Sequence, residues 1–105
     1  MQHTQPIDTL VQSSVDLVRT LVGFDSVSCN SNLSIIDFIE TYLKGYGIEC
    51  TRVPSPDGKK SNLLSRIGPL VAGGILLSGH TDVVPVEGQP WETNPFTLTQ
   101  RSDLL

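Results

Sequence analysis

Apolar residues recur at a helical period from Pro6 to Val22. Ile7, Leu10, Val11, Ser14, Val18 and Leu21 fall on one stripe, and Leu17 and Val22 widen it. Pro6 suits a first turn, where its missing N–H is no loss, and Asp8 complements the positive end of the helix dipole. Gly23 is the expected stop. Phe24 to Asn32 is rich in turn and cap formers and reads as a loop. A second helix is predicted from Leu33 to Tyr46, with Ile35, Ile36, Ile39, Tyr42, Leu43 and Tyr46 on its buried face. Asn32 or Ser34 would cap it, and Gly47 sits where a left-handed residue belongs.

After Gly47 the period changes from helical to alternating. Ile48, Cys50 and Arg52 alternate with Glu49, Thr51 and Val53, which predicts a short strand with one wet side. The segment from Pro54 to Lys60 is a turn, and Asn62 to Ile67 returns as a second strand, so the pair forms a hairpin. Ile75-Leu76-Leu77-Ser78-Gly79 is apolar at consecutive positions, the pattern of a central strand covered on both faces. From Val83 onward Pro85, Gly88, Pro90 and Pro95 forbid long elements. Trp91 and Phe96 are expected to pin this loop to the body. A strand starting near Thr97 would turn at Ser102-Asp103.

These elements predict an α/β fold: two helices, a hairpin and a buried central strand, in a sheet left incomplete. Residues 1–105 read as a piece of a larger domain, since a strand beginning near Thr97 would need a partner; the alternative is a complete small domain with a frayed end.

Composition narrows the function classes. A chain of 105 residues holds one domain. Seven Lys+Arg against eleven Asp+Glu give a net charge of −4, so no basic surplus is available to neutralise phosphates, and no nucleic-acid partner is expected. No apolar stretch reaches the roughly 18 residues of a spanning helix, so no membrane partner is expected either. Met1 to Pro6 lacks the pattern of a secretory signal, which makes the cytoplasm the expected compartment. Cys29 and Cys50 are accordingly expected as free thiols.

The candidate chemistry lies in Leu76-Leu-Ser-Gly-His-Thr-Asp-Val-Val-Pro85. The predicted strand delivers His80 and Asp82 to its C-terminal edge, where open α/β sheets place ligands. In an extended chain the two project to the same side. One imidazole nitrogen is then free for a metal, while the carboxylate fixes the tautomer through the other. Gly79 would allow close backbone approach. Taken alone, an H-x-D triplet fits either a hydrogen-bonded surface histidine or a metal ligand. No other His or Cys lies at ligand spacing, and His3 sits in a polar tip. Gly68 to Gly74 is glycine-rich but lacks the Lys-Ser/Thr of a P-loop. Ser78 is not the centre of a G-x-S-x-G elbow.

Ser78-Gly-His-Thr-Asp-Val-Val-Pro85, followed by Trp91 and Asn94-Pro-Phe-Thr-Leu98, resembles the first metal-binding block of the M20 family of zinc amidohydrolases and peptidases. Within it, Val84 to Trp91 followed by Pro95 to Leu98 looks most like the members that release acetate from N-acetylornithine in arginine biosynthesis. The resemblance implies a catalytic α/β domain with two zinc ions, for which cobalt can substitute. It also implies a smaller dimerisation domain, absent here, and a homodimer when complete. His80 aligns with a ligand of one zinc, and Asp82 with the active-site aspartate that orients it. The expected substrate is a small N-acyl amino acid. The remaining ligands and the general base lie outside this chain, so it is expected to be inactive alone. Two alternatives remain: another M20 member acting on succinyl-diaminopimelate, acylated amino acids or peptides, or a non-catalytic α/β interaction module.

Overall fold

A computed structural model describes residues 6–105. They divide into two units: Ser26–Pro85, and the residues up to Asp25 together with Val86–Leu105.

The unit Ser26–Pro85 holds a helix and a hairpin. Helix α2, Leu33–Lys44, follows the predicted period but ends two residues early. Ile35 and Ile36 are buried, whereas Tyr42 and Tyr46, expected on the same face, are exposed. Their rings meet at a tilt of 55° instead, with centroids 5.3 Å apart. Gly47 adopts the expected left-handed conformation, φ 74°. Its N–H donates to the Lys44 carbonyl at 2.9 Å and that of Ile48 to Leu43 at 3.1 Å, the paired bonds of a Schellman end.

Strand β1, Cys50–Pro54, pairs antiparallel with β2, Ser61–Ser65, in the register Arg52↔Leu63. The alternation holds: Cys50 and Arg52 are partly buried, while Thr51 and Val53 are exposed. Arg52 ties β1 to α2 by ion pairs to Glu40 at 3.0 Å and Asp37 at 2.5 Å. Neither expected side-chain cap forms at the start of α2. The Asn32 amide turns instead to β2, where it bonds both backbone groups of Ser61. Cys29 and Cys50 are free thiols.

The expected central strand is corrected. Residues 75–79 belong to no strand, and Ile75, Leu76 and Leu77 are 91%, 82% and 89% exposed. A strand exists by pairing, and the only named strands among the described residues, β1 and β2, pair with each other. The buried hydrophobic residues are accordingly few: Val27, Ile35 and Ile36.

In the other unit, α1 spans Ile7–Val22, with Pro6 just before its first turn and Gly23 just after its last. Its amphipathic stripe is present but only partly covered: Leu17, Leu21 and Val22 are half-buried, and none of its residues is fully buried. Ile7, Leu10, Val11 and Val18 line a shallow groove that Leu105 closes at one side. Residues 86–105 contain no regular strand, so the strand expected from Thr97 is absent. The expected turn does form: Arg101 and Leu104 exchange two backbone hydrogen bonds of 3.0 Å around Ser102-Asp103. Trp91 is half exposed, a weaker anchor than expected, and Phe96 is partly buried. No helix among the described residues is long and apolar enough to cross a membrane.

Candidate functional site

The segment carrying His80 and Asp82 is held in place by residues more than fifty positions earlier. Val83 donates its N–H to the Ser26 carbonyl at 3.1 Å, and Ser28 donates to the Val83 carbonyl at 2.9 Å. These two bonds make a parallel bridge between Val27 and Val83. A third bond joins side chain to backbone: the Ser26 hydroxyl donates to the Thr81 carbonyl at 2.5 Å. Ser26 and Val27 are buried, at 5% and 7% exposure, so the tether is shielded from water. The apolar run therefore does not deliver the site as a strand end. The bridge does.

On this support His80 and Asp82 come together as the two-residue spacing predicts. His80 Nδ1 lies 3.0 Å from Asp82 Oδ1 and 2.9 Å from the Asp82 carbonyl oxygen. Both neighbours are acceptors, so Nδ1 carries the hydrogen and donates to them. In the neutral ring the lone pair is then on Nε2. The His80 side chain is 84% exposed and that of Asp82 is 56% exposed. The imidazole is thus presented to solvent with one nitrogen oriented by a carboxylate and the other able to accept a proton or bind a cation. This is the arrangement by which proteins prepare a histidine for a metal.

The donor set present is one part of a zinc site. His80 fits as a single ligand, with Asp82 as its hydrogen-bonded support. A complete zinc site asks for three or four donors, and no group of three His, Cys, Asp or Glu residues comes together among the described residues. The expected close backbone approach at Gly79 is not seen: nothing lies within 4 Å of where its Cβ would stand. His3 falls outside the described residues.

Ser26 is the supporting residue that the sequence did not single out. It stood among six loop formers between Asp25 and Asn32, and a contact spanning 55 positions leaves no periodic trace.

Comparison with known proteins finds acetylornithine deacetylases. The acetylornithine deacetylases of Photorhabdus laumondii and Proteus mirabilis are 40% and 37% identical to this chain over 99 residues, and each match covers 87% of this chain and 25% of the relative. That of Klebsiella pneumoniae is 36% identical over 98 residues, with the same coverage. The chain is similar in sequence to part of these acetylornithine deacetylases. This bears out the resemblance that the sequence suggested. The chain spans about a quarter of the length of these relatives. No family model matches it. No solved structure matches it.

Proposed function

We propose that this chain contributes one metal-ligating histidine to a metal-dependent amide hydrolase, with His80 as the ligand and Asp82 as the residue that orients it. The observation that carries this reading is the Nδ1–Oδ1 hydrogen bond of 3.0 Å on a solvent-facing ring. Zinc, two ions in the complete enzyme with cobalt as a substitute, polarises an amide carbonyl and acidifies water when bound.

The chain's own residues do the preparatory work. Asp82 accepts the hydrogen bond of the Nδ1–H group, which fixes the tautomer and leaves the Nε2 lone pair free. The bridge at Val27 and Val83 holds the His80–Asp82 turn against the buried side of the unit. The further ligands and the glutamate base that moves a proton from water to the leaving amine belong to residues outside this chain.

The reaction is hydrolysis of an N-acyl amino acid. The names of the relatives support N-acetylornithine as substrate, giving ornithine and acetate in arginine biosynthesis. The complete enzyme is a cytoplasmic homodimer in this reading, and the 105-residue chain alone is inactive.

Calorimetric titration of the isolated chain with zinc tests the division of labour. One imidazole with a supporting carboxylate binds zinc weakly or not at all. Tight stoichiometric binding would refute it. In a complete enzyme carrying this segment, His80→Ala removes most of the turnover, and normal turnover would overturn the assignment.

A further inference from the structure

We infer that Ser26 is a positioning residue for His80, acting through the peptide group between Thr81 and Asp82. The inference rests on the reading of His80 and Asp82 given above and adds to it the group that sets their geometry. Three observations carry it. The Ser26 hydroxyl donates to the carbonyl of Thr81, the one residue between the two partners. Ser26 is 5% exposed and Thr81 is partly buried, so the bond is partly shielded from water. The backbone of the same serine also accepts from Val83, the residue after Asp82.

The consequence is geometric. His80 and Asp82 meet through a short turn in which Nδ1 donates to both the carboxylate and the backbone carbonyl of Asp82. That double contact requires one orientation of the Thr81–Asp82 peptide plane. The backbone bridge at Val83 fixes the chain after Asp82 but leaves this plane free to rotate. The Ser26 hydroxyl pins the plane by its oxygen. Without it, the Asp82 oxygens leave Nδ1 for part of the time, and the imidazole loses its preference for carrying hydrogen there.

Nitrogen-15 NMR of the His80 ring in this chain reads the tautomer directly, at a pH above the ring's titration. A His80→Gln variant identifies its signals against those of His3. The expected result is an Nδ1–H ring in the unaltered chain. In Ser26→Ala, which keeps both backbone bonds, it becomes a mixture of tautomers. Ser26→Thr, which keeps the hydroxyl, restores the Nδ1–H form. Cross-strand signals between β1 and β2 report that each variant is folded. A folded Ser26→Ala chain with an unchanged Nδ1–H ring overturns the inference while leaving the His80–Asp82 reading intact. An Nε2–H ring in the unaltered chain overturns both. If Ser26→Ala loses the β1–β2 signals, the decision passes to Ser26→Thr, where a folded chain with a mixed tautomer overturns the inference.

Discussion

Asn32 and Ser61 pair as two strands pair, although one of them uses its side chain. The Asn32 Nδ2 group donates to the Ser61 carbonyl at 3.0 Å, and the Ser61 N–H donates to Asn32 Oδ1 at 2.9 Å. A side-chain amide carries the same donor and acceptor as a peptide, so it closes the start of β2 where no third strand does. Ser61 is 4% exposed, and its backbone groups have no water to fall back on.

Asn32→Ala therefore leaves a buried donor and acceptor unpaired. The expected loss is about 1–3 kcal/mol of stability, read as a lower urea midpoint by circular dichroism. Asn32→Asp keeps the acceptor for the Ser61 N–H and is expected to fall between the two. An Asn32→Ala midpoint equal to that of the unaltered chain would show that the pair contributes nothing.

The charge cluster across α2 and β1 predicts a pH dependence. Arg52, and then Lys44, hold the Glu40 carboxyl below its ordinary value of 4.5 by hydrogen bonding to its charged form. A lowered folded-state value means the contribution is complete above about pH 4.5 and is lost as the pH falls through the folded value. Arg52→Gln should lower stability most at neutral pH, where the pair is fully formed, and least below the folded value of Glu40, so that the acid limb of the stability curve flattens. Denaturant midpoints measured across the acid range check it, and parallel curves for the two chains would contradict it.

At the end of α2, Gly47 adopts φ 74°. A Cβ there meets no neighbour within 4 Å, so a substitution is opposed by backbone conformation and not by crowding. Gly47→Ala is expected to cost about 1–2 kcal/mol, and Gly47→Asn less, because asparagine tolerates the left-handed region. Equal midpoints for all three chains would remove the Schellman end from the account.

Ile75, Leu76 and Leu77 form a consecutive exposed apolar run, a pattern that promotes association through unpaired backbone and side chains. The isolated chain is expected to self-associate as its concentration rises. Leu76→Lys should shift the onset to higher concentration in sedimentation or light scattering. An unaltered chain that stays monomeric throughout would count against this.

Local physics was legible in the residues. The spacing of Ile35, Ile36 and Ile39 located α2, and the alternation of Cys50 and Arg52 located β1 with its inward side correctly assigned. The period of two also brought His80 and Asp82 to one side, where their contact is found. Features that depend on a distant partner were not legible. The run at Ile75 reads as a strand because its composition suits one, yet no neighbour completes a ladder with it. The stripe of α1 reads as buried, yet none of its residues is fully buried. Conversely, the support of the site by Ser26 and Val27 leaves no local signal, because a single parallel bridge imposes no repeat.

The zinc affinity of a complete enzyme carrying this segment, with and without Asp82→Asn, tests the central claim most directly. The substitution keeps the size of the side chain and removes the charge that holds the His80 proton. The account predicts a loss of roughly 10–100-fold in affinity. An unchanged affinity would mean that the carboxylate does not prepare the ring for a metal.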